Sequence, residues 1–270
     1  TLGFVEQSCN GQLVAGERSA SVRHICTDSR LAKQGDLFVA IRGDRFDGHD
    51  YLNDALGQGA EAALVNRSHL GQVESAGPMI GVDETRFALG QLATRYRQDF
   101  DLPVVAVGGS NGKTSTKEIL ATVLGERFET LSSEASFNND IGVPITLLRL
   151  REAHEVAVLE VGSNHPGELD SLLQLIRPRY GVLTSIGREH LELFGDIEGV
   201  IEEEGSLAEA FPPEGCLFVN GDIERLEEIR RRCCATVVTV GKREGCDWRI
   251  KDIRSDDEGT TFEIISPKGD

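Results

Sequence analysis

Val104-Val105-Ala106-Val107-Gly108-Gly109-Ser110-Asn111-Gly112-Lys113-Thr114-Ser115 carries an apolar strand straight into a glycine-rich loop that ends in Lys-Thr-Ser. The next residues, Thr116-Lys117-Glu118-Ile119-Leu120-Ala121-Thr122-Val123-Leu124, read as the first turns of a helix. Strand, tight loop and helix N-terminus together make a polyphosphate cradle. Loop N–H groups point inward, the helix dipole favours anions, and a lysine brings charge to the β- and γ-phosphates. Gly109, Ser110, Asn111, Gly112, Lys113, Thr114 and Ser115 are therefore the expected nucleotide-binding residues, with the Thr114 hydroxyl placed for Mg²⁺. The expected ligand is ATP or GTP. Val107 stands where a general P-loop has its first glycine, so the loop fits a shorter pattern, Gly-Ser-Asn-Gly-Lys-Thr.

Downstream of this loop, apolar segments alternate with polar, helix-like ones. Strands are expected at 156–161, 180–186, 216–220 and 236–240, with helices over 167–175 and 197–210. Near-continuous apolar strands joined by helices imply a doubly wound, mostly parallel sheet that binds ligands at the carboxyl ends of its strands. The first hundred residues differ, with short strands at 36–41, 62–65 and 79–82. An amphipathic helix is expected over 83–100, with Phe87, Leu89, Leu92 and Tyr96 on its apolar side. The expected fold class is thus α/β: a small N-terminal α/β domain, residues 1–100, then a P-loop ATPase domain, residues 101–270. Residues 248–265 read as a strand pair turning at 256–259, after which the chain stops, so a fragment of a longer protein is expected.

Charge and composition exclude several classes. The 270 residues carry a formal charge of −17, which argues against a nucleic-acid or anionic-membrane partner. No apolar run approaches the ~20 residues that span a bilayer, and the N-terminus lacks a signal-peptide pattern. Six cysteines without CxxC spacing read as reduced thiols. Nothing signals a coiled coil, and a monomer is expected.

Other segments carry candidate chemistry beside ordinary alternatives. Glu160 ends a buried apolar run next to the P-loop strand, where such enzymes place an acid for Mg²⁺; a capping or solvated glutamate is the alternative. His190 falls past the strand 181–186 at the same sheet end, either as a loop residue or as a ligand. Asn138 and Asn139 precede an apolar helix start and suit either phosphate contacts or Asx turns. In the first domain, Ser29, Arg30, Asp47 and His49 lie in polar, turn-rich segments able to line a site for an anionic sugar nucleotide; composition alone reads them as loops.

Taken together, these segments resemble the Mur ligases, the ATP-dependent amino-acid ligases of cytoplasmic peptidoglycan synthesis. The resemblance rests on Gly109-Ser110-Asn111-Gly112-Lys113-Thr114, Thr116-Lys117-Glu118, Asn138-Asn139-Asp140-Ile141-Gly142-Val143-Pro144, Glu160 with Asn164-His165-Pro166-Gly167-Glu168, and His190-Leu191-Glu192 with Phe194-Gly195. Asp28-Ser29-Arg30 and Phe46-Asp47-Gly48-His49-Asp50 extend it into the first domain. It implies a cytoplasmic enzyme of three domains, of which this chain holds the first and most of the second. The implied substrates are ATP, UDP-N-acetylmuramoyl-tripeptide and D-alanyl-D-alanine, joined through an acyl phosphate, with Mg²⁺ as cofactor. Lys113 would hold the β/γ-phosphates, Thr114 and Glu160 one Mg²⁺ and His190 a second, with Asn138 and Asn139 near the phosphates. Where the family commonly has a carbamylated lysine, this sequence has Glu204, expected to supply the same negative charge directly; an acidic solvated helix face is the alternative. Two rival readings remain: a sister ligase that adds a single amino acid, and a nucleotide- or UDP-sugar-binding module without turnover.

Overall fold

The computed structural model describes residues 1–70, 77–187, 191–257 and 259–268, which form two compact units: Thr1–Asp101 with Pro144–Leu150, and Leu102–Val143 with Arg151–Asp270. The stretch Pro144–Leu150, assigned from sequence to the second domain, groups with the first.

In the first unit, α1 (Leu2–Ser8), β1 (Gln12–Ala15), β2 (His24–Cys26), β3 (Asp36–Val39), α2 (Leu52–Gly57), β4 (Ala62–Asn66), β5 (Met79–Val82) and α3 (Thr85–Arg97) follow in order. The sheet runs β1-β5-β4-β3-β2, parallel except for β1 against β5. All four residues of β3 and of β5 are buried, as parallel strands covered on both faces should be. Helix α3 starts where Glu84 caps it by accepting the Arg86 and Phe87 N–H groups. Its buried stripe is Thr85, Ala88, Leu89, Leu92, Ala93 and Arg97; Phe87, expected inside, is exposed. Two alanines that a large-hydrophobe count overlooks take the inner positions.

The second unit contains β6 (Val104–Gly108), α4 (Lys113–Gly125), β7 (Thr130–Ser132), α5 (Gly142–Leu147, from Pro144 on grouped with the first unit), β8 (Val156–Glu160), α6 (Glu168–Ile176), β9 (Tyr180–Leu183), α7 (Leu191–Phe194), α8 (Ile197–Gly205), β10 (Cys216–Asn220), α9 (Leu226–Arg232), β11 (Thr236–Gly241), β12 (Trp248–Asp256) and β13 (Gly259–Ile265). Its sheet runs β13-β12-β11-β10-β9-β6-β8-β7 and is parallel except for the last hairpin, β12 with β13. From β6 the chain steps to the β7/β8 side and then crosses back to β9. The carboxyl ends of β6, β8 and β9 therefore flank a point where strand order reverses, the position at which open α/β sheets bind ligands. The five residues of β8 are all buried, including Glu160, whereas β12 and β13 are largely exposed.

Candidate functional site

The P-loop is shaped by its glycines and by the loop after β9. Gly109 has φ +113° and Gly112 φ +86°, conformations that L side chains rarely adopt. A Cβ on Gly109 would lie 2.5 Å from Thr184 Oγ1 and 2.7 Å from the Ser185 carbonyl oxygen. That close approach lets residues 184–187 clamp the loop. The Ser110 N–H donates to the Ser185 carbonyl at 2.9 Å and the Asn111 N–H to Ser185 Oγ at 2.7 Å. The Gly187 N–H donates to Ser110 Oγ at 2.8 Å, and Thr184 Oγ1 donates to the Gly108 carbonyl at 3.0 Å. Two loop amides expected to face a ligand are thus committed to Ser185. The candidate anion-binding donors lie one step on: the Thr116 N–H bonds back to the Gly112 carbonyl at 3.0 Å, leaving the Lys113, Thr114 and Ser115 N–H groups at the open start of α4. The Lys113 ammonium sits over the same loop, donating to the carbonyls of Gly109 at 2.6 Å and Ser110 at 2.8 Å.

Glu160 is the most constrained acid of the site. It is 1% exposed, and each carboxylate oxygen has a partner: Thr114 Oγ1 donates to Oε2 at 2.8 Å and Asn138 Nδ2 to Oε1 at 2.9 Å. Its own N–H donates to Ser133 Oγ at 3.2 Å. A hydroxyl and a carboxylate held side by side at a helix N-terminus are hard oxygen donors of the kind Mg²⁺ prefers, so these residues fit that ion. Asn139, beside Asn138, is spent on the backbone instead. Its Oδ1 accepts the Ile141 N–H at 3.2 Å and the Gly142 N–H at 2.9 Å. The Asx-turn reading of this residue is the one its bonds describe.

The consecutive glutamates on α8 divide their roles. Glu202 is exposed and pairs with Arg232 at 3.1 Å. Glu203 caps α6, accepting the Gly167 N–H at 2.7 Å and the Leu169 N–H at 2.9 Å. Glu204, 8% exposed, faces a cavity of about 70 Å³ lined also by Ser110, Lys113, Asn138, Ser163 and Asn164. A water needs roughly 10–15 Å³, so the cavity has room for several water-sized groups. The structure therefore brings Ser110, Lys113, Asn138 and Glu204 to one cavity, with Asn138 bonded to Glu160 and Glu160 to Thr114. His190 lies outside the described residues.

The first-unit candidates sit in two separate turns, with no hydrogen bond or ion pair between them among the described residues. Ser29 is buried, and the exposed Arg30 grips Asp28 with both arms (2.9 and 2.6 Å). This guanidinium holds the Asp28 carboxyl at a pKa of about 2. Asp47 caps the 3₁₀ turn Gly48–Tyr51 by accepting the His49 N–H at 3.0 Å, and it also meets His49 Nδ1 at 2.6 Å. Burial opposes ionisation of Asp47, but these bonds outweigh it and its pKa lies below the ordinary carboxylate value. His49 is 5% exposed, accepts the Asn66 N–H on Nε2 at 2.9 Å, and stacks on His69 with centroids 4.0 Å apart. Asp47, His49 and His69 offer ligand atoms within 4.8 Å of one another, but both His49 nitrogens are already engaged. Through His49 these bonds tie the Asp47 turn to β4.

Sequence reasoning missed Ser185 and the structural side of Lys117. Ser185 had one available signal, a small polar residue at the carboxyl end of a parallel strand next to the P-loop strand. Lys117 was singled out only as part of the Thr116-Lys117-Glu118 segment, one turn after Thr114, which says nothing of its burial.

Comparison with known proteins agrees with this layout. Residues 107–270 match the Mur ligase middle domain and residues 21–97 match the Mur ligase family catalytic domain. The UDP-N-acetylmuramoyl-tripeptide–D-alanyl-D-alanine ligase of Haemophilus influenzae is 35% identical, over 94% of this chain and 56% of its own length. MurF from Acinetobacter baumannii superposes with a TM-score of 0.91 at 32% identity, over 100% of this chain and 59% of that one. MurF ligase from Thermotoga maritima, in complex with ADP, gives a TM-score of 0.81 at 30% identity, over 92% and 57%. The chain thus spans little more than half the length of the relatives it matches. With its paired α/β units, its Gly-Ser-Asn-Gly-Lys-Thr loop and the Thr114–Glu160–Asn138 constellation, this chain belongs to the Mur ligase family.

Proposed function

We propose that this chain is the N-terminal and central part of a monomeric cytoplasmic ligase that uses ATP to join D-alanyl-D-alanine to UDP-N-acetylmuramoyl-tripeptide. The names of its relatives support the substrates. The observation that carries the chemistry is Glu160, enclosed and held by Thr114 and Asn138 at the mouth of a phosphate loop whose lysine faces the same cavity as Glu204.

In this reading an oxygen of the tripeptide's terminal carboxylate attacks the γ-phosphorus of ATP, the bond to the β-phosphate oxygen breaks, and ADP leaves. The amine of the dipeptide then attacks the acyl phosphate, and the tetrahedral intermediate expels phosphate as the amide forms. Both reactants of the first step are anions, so charge neutralisation is the chief catalytic requirement. Lys113 carries the β/γ-phosphates after exchanging its bonds to the Gly109 and Ser110 carbonyls for phosphate oxygens. The N–H groups of Lys113, Thr114 and Ser115 bind the phosphates along the helix axis, with Asn138 beside them. Thr114 and Glu160 would hold Mg²⁺, with His190 for a second ion as the family resemblance implies; the metal supplies charge neutralisation at the phosphates. Glu204 takes the place of a carbamylated lysine. Arg30, exposed at its turn, is available to the UDP-sugar; Ser29, Asp47 and His49 shape that side by holding the turns.

The test is phosphate release from ATP by the protein carried through to its natural C-terminus, with UDP-N-acetylmuramoyl-tripeptide and a panel of amines. Release that requires D-alanyl-D-alanine is expected. Release with a single amino acid instead would assign the chain to a sister ligase, and none with any amine would leave a binding module.

A further inference from the structure

Helix α4 has one buried side chain, and it is a lysine. Lys117 is 0% exposed. An ammonium has three donors and no acceptor, and Lys117 meets three acceptors: the Ser133 carbonyl at 2.8 Å, the Ala135 carbonyl at 3.2 Å, and Glu118 Oε1. Enclosing a cation is costly unless it is fully hydrogen-bonded, so the enclosure demands that these carbonyls stay in place.

The loop that supplies them is strained and touches Glu160 twice. Ala135 has φ +45°, in the left-handed region that disfavours any residue but glycine. Ser133 Oγ accepts the Glu160 N–H, and three residues after Ala135 the Asn138 amide donates to Glu160 Oε1. The other carboxylate oxygen is held by Thr114, one turn before Lys117 on the same helix. A closed ring results: α4 through Thr114 to Glu160, through Ser133 and Asn138 to the loop, and through Lys117 back to α4.

We propose that Lys117 is a positioning residue: by tying the Ser133 and Ala135 carbonyls to α4, it fixes the two oxygens of Glu160 for the cation that accompanies the nucleotide. The cation half of this statement rests on the nucleotide-ligase reading above; the anchoring of the loop does not.

Lys117→Met in the 270-residue chain tests both halves. Amide hydrogen exchange is expected to quicken at least tenfold over residues 133–138 and at Glu160. The clamp between residues 108–111 and 184–187 should keep its wild-type rates. Equal quickening at both places, as general destabilisation would give, or no change at either, overturns the proposal. In the second measurement, the Mg²⁺ concentration needed for binding a fluorescent ADP analogue is expected to rise about 10- to 100-fold, the usual effect of losing a group that orients a metal ligand. Metal-free affinity should match the wild type, and Lys117→Arg should recover part of the Mg²⁺ response. Equal weakening with and without Mg²⁺ contradicts the proposal. A wild-type chain that binds no ADP would count against the nucleotide reading, while the exchange result would still decide the role of Lys117. Lys117→Gln, which keeps a polar group in the enclosure, serves if the Met variant does not fold.

Discussion

Gly109→Ala puts the shaping of the phosphate loop to a quantitative test. The added methyl would sit 2.5 Å from Thr184 Oγ1 and 2.7 and 2.8 Å from the backbone oxygen and nitrogen of Ser185. Thr184 can turn aside, but the backbone of Ser185 cannot, so the two loops must part or the backbone must strain. A non-glycine residue at φ +113° carries about 1–3 kcal/mol of strain, and overpacking adds about 1–3 kcal/mol. The cheapest relief is to open the clamp, which sacrifices the Ser110, Asn111 and Gly187 hydrogen bonds at about 1 kcal/mol each. Together the strain and the overpacking disfavour the closed clamp by about 2–6 kcal/mol, which is roughly 30-fold or more in an opening equilibrium. Amide exchange at Ser110, Asn111 and Gly187, read in the 270-residue chain, should quicken by that factor. Gly125→Ala is the control, because nothing lies within 4 Å of its added methyl and its φ is ordinary; it should be neutral or slightly stabilising. Exchange at the three amides of Gly109→Ala within about threefold of wild type would show that Gly109 does not hold the clamp closed, since about 0.6 kcal/mol is far below either contribution.

Three further outcomes are expected. Glu204→Gln should lower phosphate release by the whole protein and added bicarbonate should not stimulate the wild type; a bicarbonate response, or an indifferent Glu204→Gln, would show that Glu204 does not replace the carbamate. The lowered pKa of Asp47 means that its stabilisation is present above the ordinary Asp value of about 3.9 and is lost as pH falls through the folded value. Urea unfolding followed from pH 6 to 3 should therefore show a smaller pH slope in Asp47→Asn, and an unchanged slope would contradict the Asp47–His49 account. Burial pushes the Cys9 thiol to about 12, where its Sγ also donates to the Ala88 carbonyl at 3.2 Å. At pH 8 iodoacetamide should label exposed Cys234 and spare Cys9 until the chain unfolds; similar rates at the two would contradict this.

The second unit was legible because its strongest signals are local. A strand, a glycine loop and Lys-Thr-Ser lie next to one another in the chain, and central strands of a parallel sheet announce themselves as unbroken apolar runs. Short elements left no such trace: α1, β1, β2 and β7 have three to seven residues, too few for a period to register. Glu160 was legible because a carboxylate ending a buried run needs a reason. The separation of Glu202, Glu203 and Glu204 into a surface pair, a helix cap and a cavity wall depends on the rotation of α8 against α6, which no residue spacing states. For His49 the sequence shows only a histidine in a polar loop; that the fold brings Asp47 and the Asn66 amide to its two nitrogens and encloses it depends on contacts no spacing states.

Whether the reaction passes through an acyl phosphate is decided by following oxygen from the tripeptide to phosphate. UDP-N-acetylmuramoyl-tripeptide labelled with oxygen-18 in its terminal carboxylate would be turned over by the whole protein with ATP, Mg²⁺ and D-alanyl-D-alanine, and the released phosphate analysed by mass spectrometry. One labelled oxygen is expected in each phosphate from fully labelled carboxylate, with no phosphate from Lys113→Ala. Unlabelled phosphate accompanying amide formation would contradict the acyl phosphate.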